Sequence, residues 1–269
     1  MKDLHIHTKY SDGEDDEYEI IEKVKNSGVT EFSICDHDTI EGSKKVYELM
    51  LNNKDIKYQI GVELSCRLKE MFNGINIHLL FRDFDFYDSK IIDLVEKINN
   101  LRKLKIQRMV DLVEKIYGVK LSKEEVEEKE KTTNSLGKPH IYSLLQKYGD
   151  FKRDQYYQNM KSLKSEDLKL DALEVIENLK DSKGYITLAH PKEIMNEYDL
   201  NYDDIDKIVA YLASRGLDGL ETRHSIHTDE DYEIFSRMAK KYRLLETCGS
   251  DYHGENVKPN IKVGVCVKE

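Results

Sequence analysis

Leu4-His5-Ile6-His7 is the first apolar run of the chain, and it carries two histidines two residues apart. On a strand, side chains two apart share a face, so both imidazoles point the same way and can hold one ion. Thr8-Lys9-Tyr10-Ser11-Asp12-Gly13 follows as a polar turn, from which the Asp12 carboxylate can fold back to the strand end. Taken alone, Asp12 also reads as an ordinary turn or capping residue. The event repeats: short apolar runs recur at residues 4–6, 32–35, 58–62, 75–80, 185–189, 217–221, 244–248 and 261–267, most of them followed by metal-capable side chains. Helical patterns lie between them, at 17–26 ending at Gly28, 43–51, 203–214 ending before Gly216, and 229–242. Strand alternating with helix predicts an α/β fold wound around a parallel sheet. Ligands delivered by successive strand ends predict a barrel whose rim binds metal.

Cys35-Asp36-His37-Asp38-Thr39 closes the second run. His37 is a candidate ligand, and Asp36 and Asp38 are candidates to orient neighbouring imidazoles by accepting their free N–H groups. Asp38 also reads as a helix N-cap. Glu63 ends the third run, where a carboxylate can bridge two ions and, if buried, would be costly without a partner. His78 in isolation reads as a satisfied core histidine; on the fourth strand, with other donors converging, it reads as a ligand. His190 precedes Pro191, which stops its strand, and Asp251-Tyr252-His253 gives an acidic counterpart to the opening pair. His5, His7, Asp12, His37, Glu63, His78, His190, Asp251 and His253 are six histidines and three carboxylates. That set suffices for two to three divalent metal ions, with positions left for water and substrate. Imidazole and carboxylate without thiolate suit Mn, Fe or Zn.

At 269 residues the chain can bury a large core, as one barrel-sized domain or two smaller ones. Its net charge of -10 argues against a long nucleic acid held on a basic surface, yet leaves room for a small anion in a metal-lined pocket. Four cysteines stand far apart with no CxxC pair, which points away from a zinc ribbon or a disulfide framework and toward a reducing cytoplasm. The N-terminus leads straight into the first candidate ligands, with no apolar leader, and no run approaches the roughly 18 apolar residues of a spanning helix. A soluble cytoplasmic protein with no membrane partner is expected; the sequence leaves the oligomeric state open.

The alternation breaks at 85–165, dividing the chain into a metal-binding barrel at 1–84 and 166–269 and a helical insertion. Apolar residues from Ile91 to Ile116 keep helical spacing and predict one long helix stopping at Gly118, with short helices near 123–131, 141–147 and 156–163. The insertion carries 17 Lys plus Arg against 13 Asp plus Glu, while the remainder carries 25 against 39. Arg102, Lys105 and Arg108 form a basic stripe on the long helix, a candidate substrate contact whose plainer reading is a solvated face.

The order HxH, DG, DHD, lone Glu, lone His, His before Pro, and DxH resembles the PHP (polymerase and histidinol phosphatase) superfamily, across essentially the whole chain outside the insertion. The resemblance implies a distorted (β/α)7 barrel with up to three ions at the C-terminal rim of the strands. It implies that His5, His7, Glu63 and Asp251 hold one ion, Glu63, His78 and His190 a second, and Asp12, His37 and His253 a third. Gly137-Lys138-Pro139-His140 resembles a motif of the branch with a helical insertion, whose members act on nucleoside 3′,5′-bisphosphates or trim short oligoribonucleotides from the 5′ end. Cys35 stands where that family commonly has Thr, and Lys138 where it has Arg, which supplies charge but no bidentate fork. The expected chemistry is phosphomonoester hydrolysis by a metal-bridging hydroxide held at Glu63. Lys138 and His140 are candidates to grip a second phosphate or the sugar, and Arg223 and His224 to clamp phosphate or protonate the leaving oxygen, with an exposed loop as the alternative for the latter pair. Two other readings remain open: a histidinol-phosphatase-like enzyme for another small phosphomonoester, and a catalytically silent PHP module that binds a protein partner.

Overall fold

In the computed structural model, which describes residues 1–131, 136–163 and 166–264, strand and helix alternate from the start. The order is β1 (Lys2–Ile6), α1 (Glu17–Ser27), β2 (Glu31–Ile34), α2 (Glu41–Met50), β3 (Lys57–Leu68) and β4 (Ile75–Arg82). Four helices interrupt: α3 (Ser89–Tyr117), α4 (Lys123–Lys131), α5 (Lys138–Leu145) and α6 (Arg153–Met160). The alternation resumes with β5 (Leu170–Asp171), α7 (Ala172–Leu179), β6 (Tyr185–Leu188), α8 (Pro191–Tyr198), α9 (Tyr202–Ala213), β7 (Gly219–His224), α10 (Asp229–Tyr242) and β8 (Leu245–Gly249). Side-chain caps start several helices where the sequence offers them. Asp16 accepts from the amides of Tyr18 and Glu19 to open α1, and Thr228 accepts from Asp231 to open α10. Gly28, in the left-handed region at φ 76°, closes α1.

The strands lie in the order β1-β2-β3-β4-β6-β7-β8, with β5 paired beside β3. The path nearly closes into a barrel, because the chain beyond β8 bonds back to β1: the Asp251 amide donates to His5 O at 2.8 Å and the His7 amide to Tyr252 O at 2.9 Å. Five of the seven strand pairings among the described residues are parallel, as the alternation predicts, and β4 departs from that arrangement. It runs antiparallel to both β3 and β6. The reason is the tight turn Phe72-Asn73-Gly74, all three residues at positive φ, which returns the chain at once and lets β3 extend to twelve residues. The last predicted run, 261–267, forms no strand over 261–264, and its remainder lies outside the described residues.

By contacts the chain divides into two compact units, Met1–Val95 with Leu170–Glu269, and Glu96–Lys169. In the first, Ile6, Phe32 and Ile34 of the sheet pack with Ile20, Val24 and Val46 of the covering helices. In the second, Met109 and Val113 of α3 meet Ile141, Leu144, Leu145, Tyr156 and Met160 in a core of its own. α3 stops at Gly118, whose φ of 67° ends it as the sequence predicts.

Candidate metal centre

His5 on β1 and His7 just past its end are both fully buried, with their Nε2 atoms 3.1 Å apart. The turn after them is shaped by Asp36, which accepts from the Thr8 amide at 2.8 Å, the Thr8 hydroxyl at 2.7 Å and the Ser11 hydroxyl at 2.7 Å. Asp36 therefore builds the Asp12 turn, and acts on His7 one step removed, through Ser11 Oγ at 3.4 Å from His7 Nδ1. Asp38 accepts from the Ser65 amide at 2.9 Å, tying its loop to β3; α2 begins beyond it, capped by Ile40 without a side-chain bond. Asp12 comes within 3.5 Å of His7 Nδ1, 3.3 Å of His253 Nε2 and 3.7 Å of His37 Nε2.

Glu63, fully buried on β3, is the centre of the arrangement. Its Oε2 lies 3.3 Å from His5 Nε2, 3.1 Å from His7 Nε2 and 3.1 Å from His37 Nδ1. Its Oε1 lies 2.9 Å from both His78 Nδ1 and His190 Nε2. Asp251 Oδ1 completes the first side at 3.3 Å from His7 Nε2 and 3.7 Å from His5 Nε2. The structure thus brings all nine residues together. Among the described residues, four overlapping groups have ligand atoms within 4.8 Å of one another: His7, Asp12, His37 and His253; His5, His7 and Glu63; His37, Glu63 and His78; and His5, His224 and Asp251. His190 and Asp251 hold left-handed backbones at φ 25° and 56°, costly for residues with a Cβ and typical of sites the surrounding structure holds in place.

Two further residues belong to the site. Glu221, buried on β7, accepts from His5 Nδ1 at 3.2 Å and from the His190 amide at 2.7 Å, so it orients one ligand and anchors the strained loop of another. Its signal was present, a carboxylate ending an apolar run as Glu63 does, but no spacing set it apart. His224, a predicted phosphate contact, is buried with its Nε2 3.3 Å from Asp251 Oδ2. It reaches the cluster because β7 carries a bulge: Glu221 pairs with Thr247 and Arg223 with Cys248, so Thr222 is extra and the alternation slips. Its neighbour Arg223 goes the other way and stacks 3.6 Å from the Tyr232 ring centre on α10, so only His224 of the predicted pair lines the cluster. In the second unit, Lys138 opens α5 and His140 Nδ1 accepts from the Gly137 amide at 3.1 Å, capping its own helix. Of the basic stripe Arg102, Lys105 and Arg108, the last makes a two-pronged pair with Asp167 at 2.6 and 2.7 Å.

The electrostatics ask for cations. Burial would raise the Glu63 carboxyl, but the facing His37, His5 and His78 hold it well below the usual carboxylate range. Burial likewise opposes ionisation of Asp251, and His224, His5 and His7 overcome it. Their charge in turn lifts His7, against burial, to about 9, and raises His5 well above the ordinary imidazole value with Glu221 assisting. His37, where burial dominates, falls to about 3. Glu63 Oε2 and His37 Nδ1 are both buried without a hydrogen bond among the described residues. His5 Nδ1 donates to Glu221 and His253 Nδ1 to Asp251 O at 2.9 Å, which turns each Nε2 toward the cluster, where an ion would take the place of any proton. Orphaned buried atoms, imidazoles whose protons a cation would displace and ionised carboxylates in one buried cluster fit divalent cations.

Residues 3–222 match the PHP domain model. A 5′-3′ exoribonuclease of Haemophilus influenzae is 25% identical over 256 residues, 93% of this chain and 89% of that protein. A phosphoribosyl 1,2-cyclic phosphate 1,2-diphosphodiesterase of Eggerthella lenta is 27% identical over 264 residues, 95% of each chain. Two solved structures share the fold: a candidate metal-dependent phosphoesterase of Bifidobacterium adolescentis, with TM-score 0.72 and 24% identity over 100% of this chain and 92% of that one, and an amidohydrolase of Chromobacterium violaceum with bound sulfate and no metal, with TM-score 0.72 and 18% identity over 98% and 89%. None of the described helices is long and apolar enough to cross a membrane. With the strand order of a nearly closed barrel, a buried histidine and carboxylate cluster at its strand ends, and a model match over most of its length, the chain belongs to the PHP family of metal-dependent phosphoesterases.

Proposed function

We propose that the chain hydrolyses a small phosphomonoester, a nucleoside 3′,5′-bisphosphate or the 5′ end of a short oligoribonucleotide. The observation that carries the chemistry is Glu63, whose two oxygens face separate sets of imidazoles, Oε2 toward His5 and His7 and Oε1 toward His78 and His190. Bound divalent cations supply the nucleophile by lowering the pKa of water toward neutrality, and they neutralise charge on the phosphoryl oxygens. His5, His7, Glu63 and Asp251 would hold one such ion, Glu63, His78 and His190 a second, and Asp12, His37 and His253 a third. Glu221 keeps His5 in the tautomer that offers Nε2, and His224, beside Asp251, is the candidate to give a proton to the leaving oxygen. Lys138 and His140 are assigned to a second phosphate or the sugar, and the 85–165 insertion to capping the substrate. The Haemophilus relative supports a nucleotide substrate, and the charge of -10 disfavours a long one.

A second reading, a cyclic sugar phosphodiester, is favoured by the Eggerthella relative. Protein reconstituted with Mn, Fe or Zn is screened against nucleoside 3′,5′-bisphosphates, 5′-phosphorylated short RNA, histidinol phosphate and a ribose cyclic phosphate. The proposal expects phosphate release from the first two, lost in Glu63→Ala and weakened in KM by Lys138→Ala with His140→Ala. Turnover confined to the cyclic phosphate or to histidinol phosphate overturns the substrate assignment, and no turnover with any metal overturns the hydrolysis.

A further inference from the structure

Asp251 is approached from two sides. Its Oδ1 faces His5, His7 and His253, while its Oδ2 faces His224 Nε2 and accepts from the Lys258 ammonium. Lys258 was not among the residues the sequence singled out, because it follows the DxH motif in a polar stretch, Gly254-Glu255-Asn256-Val257-Lys258. That stretch is a built turn. The Lys258 amide donates to Gly254 O at 2.9 Å, and the Ile261 amide to Lys258 O at 3.1 Å. Gly254 sits at φ 105°, and a Cβ there would come within 2.4 Å of Glu14 Cβ, so the close approach requires glycine. Glu14 accepts from the amide of Asn256 at 3.1 Å and from its side-chain Nδ2, while the Glu14 amide donates to His253 O at 2.8 Å. The turn carrying Lys258 is thereby clamped to the loop that carries Asp12.

The position has a chemical consequence. Imidazoles that give lone pairs to cations are neutral, so they bring no charge of their own to the oxygens of a phosphoryl dianion, and the residues outside 85–165 hold 39 acids against 25 Lys plus Arg. The Lys258 side chain is 31% exposed, its ammonium at the edge of the cluster, where Asp251, Glu193 and Glu63 all favour its charge against the cost of burial. With a divalent cation bound, Asp251 would attract a second cation less, and the lysine would be free to meet an incoming anion.

We propose that Lys258 is a substrate-phosphate-binding residue, its ammonium moving from Asp251 Oδ2 to a non-bridging phosphoryl oxygen beside His224. This rests on the phosphoesterase reading. The test uses the metal-reconstituted full chain, with inorganic phosphate as the probe: its affinity by calorimetry, and its inhibition of p-nitrophenyl phosphate hydrolysis, in wild type, Lys258→Met and Lys258→Arg, each with metal content and thermal midpoint measured. A charge-assisted bond of this kind predicts phosphate binding weaker by about 10- to 100-fold in Lys258→Met at unchanged metal content, largely recovered in Lys258→Arg. Equal phosphate affinity in wild type and Lys258→Met overturns the proposal. So does metal loss in Lys258→Met whose repair by added metal restores phosphate affinity, since the lysine would then only hold Asp251. A metal-loaded wild type that binds no phosphate instead sinks the phosphoesterase reading itself.

Discussion

Replacing Glu221 by glutamine preserves its shape and removes half of its accepting capacity. The carboxylate takes two N–H groups, His5 Nδ1 at 3.2 Å and the His190 amide at 2.7 Å, and a glutamine side chain has one carbonyl oxygen to offer. Its amide nitrogen must face the other donor in a site with no solvent access, so one buried N–H loses its partner. A hydrogen bond to a charged group contributes about 1.5–3 kcal/mol, and stability of the metal-free protein should fall by about 2 kcal/mol. The larger effect is on the ions. If the glutamine turns its oxygen to His190, His5 loses what fixes its tautomer; if it turns to His5, the strained His190 backbone is released. Either way one imidazole leaves its set, and loss of an orienting partner typically costs 10- to 100-fold in metal affinity. Competition against a chelator of known affinity, with elemental analysis of stoichiometry, measures this. Metal affinity within twofold of wild type at full stoichiometry would falsify the assignment of Glu221 as the group that positions these two histidines.

Because Glu63, Glu221 and Asp251 hold His5 and His7 protonated in the metal-free cluster, His7 up to about 9, each bound cation must displace protons. Metal affinity should therefore strengthen as pH rises toward 9, with proton release visible as buffer-dependent heat in calorimetry; heats independent of the buffer contradict it. Gly249→Ala would place a Cβ 2.1 Å from His5 Cβ and 2.7 Å from Glu221 Oε1, so a loss of about 1–3 kcal/mol by denaturant unfolding and weaker metal binding are expected together. Asp231, buried, accepts from Lys192 at 2.8 Å, Tyr202 at 2.6 Å and the Thr228 amide at 2.9 Å, and these overcome burial to hold its carboxyl well below the ordinary range. Its folded pKa is thus below its unfolded one, so its contribution is present above about pH 4 and is lost as pH falls further. Asp231→Asn should cost about 2 kcal/mol at pH 7, and the gap to wild type should narrow below pH 4; a gap independent of pH would reject this account.

The ligands were legible because a strand's period of two and its polar end are both written in the order of residues: His5 and His7, Asp251 and His253 announce themselves by spacing. Strand direction is not written that way. Apolar alternation in 75–80 is the same read forward or backward, and only Asn73-Gly74 hinted that the chain turns back at once to make β4 antiparallel. In the sequence Glu221 is the end of a run and no more, since one carboxylate after an apolar strand has no partner there to declare it. The Arg223-His224 pair parted for a different reason. A strand sends adjacent residues to opposite faces, and which face each takes depends on hydrogen-bond register that hydropathy does not encode.

The extra residue in β7 uncouples distance along the chain from direction in space. Were Thr222 deleted, the ladder with β8 would become regular, and Glu221 and His224 would stand two apart on one face, still pointing into the barrel. A chain reading Glu-x-His at this point and one reading Glu-x-x-His would then present the same two groups to the ions. Counting residues would misalign them; counting inward faces would not.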